Sequence, residues 1–200
     1  EGGVVVWIVG DATIKGSETG TSFKQALFLK ECGFRLNDTM IYQKANFIPL
    51  THKRYEQEFE YMFVFSKEKP KSFNPLMIDC IHAGKTIKRS RKTNEIGIGL
   101  RETQTSLKTK DKKQKGNVWK YNTSGYNTAN HVAQFPEQLA NDHIISWSNE
   151  NDIVYDPFMG SGTTAKMAIL NNRNWIGSEM SSEYCDIAEK RIKETQQRLF

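Results

Sequence analysis

The stretch Asp156-Pro-Phe-Met-Gly-Ser-Gly-Thr-Thr164, with Glu179 downstream, combines residue types and spacings suited to holding a small organic ligand. A strand ending on an acid, a turn containing Gly160 and Gly162, and a helix starting behind it aim unpaired backbone N–H groups and a helix dipole at the turn. The glycines permit positive φ and let a ligand approach the backbone. An acid roughly 20 residues further on, at the end of the next strand, is placed to accept hydrogen bonds from ribose hydroxyls. Glu179 occupies that place, with Glu183 as the nearby alternative.

Three ligand classes compete for such a turn. A phosphate-cradling loop needs Gly-Lys-Ser/Thr, and no Lys follows Gly162. A dinucleotide fingerprint wants a third glycine where Lys166 and Met167 stand. An adenosyl ligand bearing a carboxylate in place of phosphates meets neither objection. The competing reading of Asp156 is a solvated turn acid, and that of Phe135 and Phe158 is core packing.

The elements that must position these residues follow from apolar patterning. Val4 to Val9 is a continuous apolar run, as in a strand buried on both faces, with Asp11 near its end as a local turn or helix cap. Ser22 to Cys32 spaces Phe23, Ala26, Leu27 and Leu29 as a helix that Gly33 stops. Thr39–Gln43, Tyr61–Phe65 and Val118–Tyr121 read as strands, and Pro136 opens a helix through Ile145. Ile153–Tyr155 and Trp175–Gly177 are short strands on either side of a helix from Gly162 to Leu170. Ser182 is placed to cap a last helix with Tyr184, Ile187, Ala188, Ile192 and Leu199 on one side, and with Cys185 in its first turn as a small buried hydrophobe.

The 200 residues, 38% of them hydrophobic, suffice for one α/β domain. A net charge of +5 and a pI near 9.0 favour an acidic partner. Cys32, Cys80 and Cys185 are odd in number and far apart, which argues against a disulfide framework or a close-spaced metal motif and for a reducing cytoplasm. No run is long and apolar enough to span a membrane. From 67 to 117 the apolar periodicity lapses and basic residues dominate, which predicts a basic, partly mobile insert.

Asp-Pro-Phe-Met-Gly-Ser-Gly-Thr-Thr resembles the cofactor motif of the exocyclic-amino DNA methyltransferases, which modify adenine N6 or cytosine N4. His131-Val-Ala-Gln-Phe-Pro-Glu-Gln-Leu139 looks like that family's motif upstream of the cofactor strand. Glu60 to Lys67 is similar to its late strand and Trp175 to Tyr184 to its second strand. The resemblance covers nearly all of the chain outside the basic insert. It implies a Rossmann-like S-adenosylmethionine-dependent methyltransferase sheet with helices on both faces, and a site-specific enzyme acting on double-stranded DNA, adenine N6 first. Asp156, Phe158, Gly160, Ser161 and Gly162 would line the methionine end of the cofactor, Glu179 would hold the ribose, and His131, Ala133 and Phe135 would close over it.

The order of these stretches, late strand before cofactor motif, resembles the permuted branch of the family. There the catalytic Asp/Asn/Ser-Pro-Pro-Tyr/Phe/Trp motif precedes the strand matched by Val4 to Val9. The five prolines here, Pro49, Pro70, Pro75, Pro136 and Pro157, include no Pro-Pro pair. The resemblance therefore implies a C-terminal portion of a longer protein, inactive alone, with catalytic residues unassigned and an open sheet edge that invites a homodimer. In that branch target recognition falls in the basic insert, which makes Lys88, Arg89, Arg91, Lys110, Lys112, Lys113 and Lys115 the expected DNA contacts. The alternatives are a cofactor- or nucleic-acid-binding module without activity, and a methyltransferase acting on RNA or a small molecule.

Overall fold

The computed structural model describes residues 2–46, 53–94, 100–123 and 135–198. The larger of two compact units is drawn from Glu1–Asn74 and Gly116–Phe200, and the smaller is Pro75–Lys115. The larger unit begins with β1 (Val4–Val9), a small hairpin of β2 (Thr13–Ile14) and β3 (Ser17–Glu18), α1 (Thr21–Glu31), β4 (Arg35–Lys44) and β5 (Phe59–Ser66). The smaller unit holds β6 (Met77–Asp79), β7 (Thr86–Asn94), β8 (Leu100–Lys108) and β9 (Lys112–Gln114). The larger unit then resumes with β10 (Val118–Tyr121), α2 (Glu137–Trp147), β11 (Ile153–Asp156), α3 (Thr163–Leu170), β12 (Asn174–Gly177) and α4 (Ser182–Gln197).

The main sheet runs β1-β5-β4-β10, with β5 antiparallel to both neighbours and β10 parallel to β4. Period-2 alternation in β5 divides its aromatic and apolar residues between two faces. Phe63 and Phe65 pack with Ala26 of α1, joined by Val5, Trp7, Val9, Leu29 and Tyr61. Met62 and Val64 are fully buried on the other face, where the Met62 Sδ lies 3.1 Å from His143 Nε2 of α2. The expected helix on each face is present around β5. The expected burial of β1 on both faces is not: all six of its residues are half-buried, because β5 is its only partner strand among the described residues.

Helix α1 also departs from its pattern. Ser22 and Ala26 are buried, whereas Phe23, Leu27 and Phe28 are exposed, because the sheet meets only a narrow stripe of the helix. Its N-cap, Gly20, has no side chain to offer, and Asp11 takes over that work from the end of β1. The Asp11 carboxylate accepts from Ser22 N at 3.0 Å and from the hydroxyls of Ser22 and Thr19. The Ser22 hydroxyl bond, the largest of these effects, holds the Asp11 carboxyl below its ordinary value.

Strands β11 and β12 pair in parallel, with Asp156 opposite Gly177. Val154 and Trp175 pack on the α2–α3 cluster of Ala140, Ile144, Met167 and Ala168. On the opposite face Ile153, Tyr155 and Ile176 are exposed, so the two-sided cover expected of the fold stops short of this pair among the described residues. Ser181 rather than Ser182 caps α4, accepting from Tyr184 N. No described helix is long and apolar enough to cross a membrane.

The smaller unit carries regular structure where apolar periodicity had pointed to none. Strand β7 pairs antiparallel with β8 over nine residue pairs from Thr86↔Lys108 to Asn94↔Leu100. Strand β6 pairs with β9 from Met77↔Gln114 to Asp79↔Lys112. The compact unit, Pro75–Lys115, is shorter at both ends than the insert expected at 67–117.

Candidate cofactor site

Parallel pairing of β11 and β12 brings the two chain segments behind them together. Ser178 N donates to Asp156 O at 3.0 Å and Met159 N donates to Ser178 O at 2.9 Å, so the glycine turn leaves the sheet stitched to the segment that carries Glu179. Met159 then folds back over Gly177, where any Cβ would overlap its side chain. The backbone turns through Gly160 at φ 52° and Gly162 at φ 81°, the latter starting α3. Both lie in the left-handed region that favours glycine.

Gly162 has a second reason to be glycine. A Cβ there would lie 3.1 Å from the Ala188 Cβ and 3.2 Å from its Cα, so this glycine lets α4 pack against the turn. Positive φ at this glycine is as the sequence predicts, and the place of its missing Cβ faces Ala188.

The two acids hold the turn in shape. Asp156 accepts from Phe158 N at 2.9 Å through Oδ1 and from the Thr164 hydroxyl at 2.5 Å through Oδ2. Glu179 Oε2 accepts from Gly160 N at 2.8 Å, while its Oε1 accepts from Met180 N and Ser181 N, both at 2.9 Å. Glu179 thus links the glycine turn to the start of α4, where a carboxylate is also favoured by the helix dipole. Cys185, half-buried in the first turn of α4, has its Sγ 3.8 Å from Glu179 O.

Asp156, Phe158, Gly160, Ser161, Gly162 and Glu179 therefore converge at the carboxyl ends of β11 and β12. Phe158 is not a core residue: it is 72% exposed, with its ring edge-on to Trp7 at 6.2 Å between centroids. Phe135 lies elsewhere, packed on the α2–α3 cluster. His131 and Ala133 fall outside the described residues.

Sequence reading missed the brace beneath the turn. Arg191 of α4 donates through Nη1 to Ser161 O at 2.6 Å and to Ser161 Oγ at 2.9 Å, and through Nη2 to Glu137 Oε1 at 2.9 Å. Lys166 Nζ reaches the same Glu137 oxygen at 2.6 Å. One guanidinium fork thereby joins α4, the buried Ser161 and the start of α2. A cleft of about 510 Å³ lined by Phe135, Lys166, Arg191 and Arg198 adjoins this brace and shares no lining residue with the turn at Asp156 to Gly162.

A family model described as a DNA methylase matches residues 1–190 of this chain. The chain belongs to the N6/N4 DNA methylases. Over 203 residues it is 52% identical to the orphan methyltransferase M.BamHII of Bacillus amyloliquefaciens, covering 96% of this chain and 76% of that protein. The crystal structure of the M1.HpyAVI–SAM complex superposes with a TM-score of 0.63 at 30% identity, over 96% of this chain and 74% of that one. The cytosine-N4-specific PvuII DNA methyltransferase shares the fold, with a TM-score of 0.68 at 21% identity over 98% of this chain and 70% of that one.

Proposed function

We propose that this chain binds S-adenosylmethionine in the turn between β11 and α3 and directs its methyl group to an exocyclic amine of a base in double-stranded DNA, adenine N6 first. The observation that carries the reading is the Glu179 carboxylate held against Gly160 N at the mouth of the glycine turn. Two carboxylates, Asp156 and Glu179, flank the turn. They disfavour a phosphate and suit a ligand with a ribose diol, an ammonium and a sulfonium.

When bound, S-adenosylmethionine supplies an electrophilic methyl whose transfer leaves a neutral thioether, while the amine gives up one proton as its N–C bond forms. Asp156, Phe158, Gly160, Ser161 and Gly162 hold the methionine end. Glu179 accepts from the ribose hydroxyls and shares its oxygens with the backbone donors it already serves. Phe135 is seated on the α2–α3 cluster, and His131, Ala133 and Phe135 are the residues that the family resemblance brings over the cofactor. A base inside a duplex is out of reach, so the target is flipped out of the stack. Its amine is a poor nucleophile that must be held by acceptors, and no residue of this chain is assigned that role.

Incubation with tritiated S-adenosylmethionine and unmethylated genomic DNA is expected to label the DNA, with N6-methyladenine as the modified nucleoside in a mass-spectrometric digest. N4-methylcytosine instead would move the target base. Absence of S-adenosylmethionine binding by calorimetry would overturn the site itself. Pairing of two copies along the open edge of β1 is the associated proposal for assembly, and a monomer in sedimentation would remove it.

A further inference from the structure

Ser161 is buried, with 4% of its surface exposed, and both of its oxygens accept from one nitrogen. Arg191 Nη1 lies 2.6 Å from Ser161 O and 2.9 Å from Ser161 Oγ. A guanidinium carries donors and no acceptor, so the serine cannot give its own proton to that partner. Among the described residues Arg191 is the only hydrogen-bond partner of the Ser161 hydroxyl. The hydroxyl proton is therefore turned away from Arg191, with no acceptor among the described residues to receive it. A buried donor in that state costs free energy, which an acceptor on a ligand restores.

The guanidinium is itself held in place. Its Nη2 donates to Glu137 Oε1 at 2.9 Å, and the side chain is only 14% exposed, so these contacts and not solvent set its direction. The charges around the turn select the acceptor that Ser161 meets. Asp156 and Glu179 disfavour an anion beside them, and both already accept from backbone donors. Ser161 is a donor with a positive charge directly behind it. In S-adenosylmethionine the ammonium and the sulfonium suit the two acids, and the carboxylate is the one anionic group. A hydroxyl bond to a carboxylate is among the stronger hydrogen bonds.

We infer that Arg191 is a positioning residue for the methyl donor: by occupying both acceptors of Ser161 it commits that hydroxyl to donate to the methionine carboxylate. Glu137 fixes the fork that does so, and Arg191 acts through Ser161 without touching the ligand. This inference rests on the S-adenosylmethionine reading of the turn and assigns one group of that ligand to one side chain.

The test is calorimetry on the whole chain with S-adenosylmethionine and with its decarboxylated analogue, which keeps the adenosyl, sulfonium and ammonium groups. The parent is expected to bind the decarboxylated ligand about 10- to 150-fold more weakly, the worth of a hydrogen bond to a charged group. Ser161→Ala is expected to weaken S-adenosylmethionine by a similar factor and to leave the decarboxylated ligand within about 2-fold of its parent affinity. Arg191→Gln is expected to weaken S-adenosylmethionine about 5-fold or more when Ser161 is present, and less than about 2-fold in the Ser161→Ala background. Arg191→Lys keeps the charge without the fork; as the milder variant it is expected to show the same ligand-selective loss at smaller size. A brace that serves stability alone would lower Tm and leave the discrimination between the two ligands as it was. That outcome, or an equal loss from Arg191→Gln with and without the Ser161 hydroxyl, would overturn the inference. Parent protein that binds the two ligands equally well refutes this inference alone, whereas parent protein that binds neither refutes the S-adenosylmethionine reading.

Discussion

Replacing Glu179 by Ala removes the acceptor for Gly160 N, Met180 N and Ser181 N, and with it the proposed ribose contact. Hydrogen bonds to a charged group are worth about 1.5–3 kcal/mol each, and these sit in a half-buried site where water can replace part of the loss. The three together are therefore expected to contribute about 2–4 kcal/mol, with up to about 1 kcal/mol more from the carboxylate at the start of α4. In a chain of this size that lowers Tm by roughly 5–15 °C, leaving the protein folded at room temperature. Loss of the ribose bonds adds a fall in S-adenosylmethionine affinity of about 30- to 1000-fold by calorimetry. Glu179→Gln keeps one neutral acceptor and is expected to recover part of the Tm while binding the cofactor nearly as weakly as the Ala variant. If Glu179→Ala lowers Tm and leaves cofactor affinity unchanged, the carboxylate only braces the loop and the ribose assignment is wrong. If neither quantity changes, the geometry of the turn is wrong as well.

Gly162→Ala places a Cβ at φ 81° and 3.1 Å from the Ala188 Cβ, and is expected to cost about 1–3 kcal/mol in urea unfolding; adding Ala188→Gly should return only the packing share, because the backbone strain remains. Arg191→Ala strips the donor from Ser161 O and Oγ and should lower Tm by several degrees in scanning calorimetry, and Arg191→Lys should restore only part of it for want of a fork. Burial, reinforced by Glu60, pushes the Tyr42 phenol from 10.0 up to about 12, and burial with the bond to Asp142 raises Tyr121 further. The unfolded chain then loses tyrosine protons before the folded one, so stability is full below about pH 10 and falls above it. Urea midpoints between pH 9 and 12 should show that decline, with a shallower one in Tyr121→Phe; an unchanged slope in that variant would refute the role of Tyr121.

Legibility in the sequence followed burial. β1, β10, β11, β12 and α2 were readable because packing against a core imposes an apolar pattern, and the glycine turn because its residues obey a local rule of strand, turn and helix. β7 and β8 were not, since their sequences are almost entirely polar and alternation of polar with polar leaves no period to detect. Which serine caps α4 turns on one residue of backbone geometry, and Ser181 and Ser182 are chemically equal. The brace from Arg191 to Ser161 and Glu137 joins positions 30 and 54 residues apart, a pairing that only tertiary packing creates. Gly162 was rightly singled out, but its closest neighbour, Ala188, lies on a helix whose approach the sequence does not encode locally.

The smaller unit is entered and left through neighbouring strands: Lys115 N donates to Leu76 O at 2.8 Å, directly beside the Met77↔Gln114 pair. Its two ends therefore meet whatever lies between them. Doubling the length of such an excursion costs only about 0.6 kcal/mol in loop closure, so a graft from a relative can replace it without disturbing the strands on either side. Chimeras cut at Asn74 and Gly116 should keep the fold and the cofactor affinity of the parent that supplies the larger unit, which thermal unfolding and calorimetry would check.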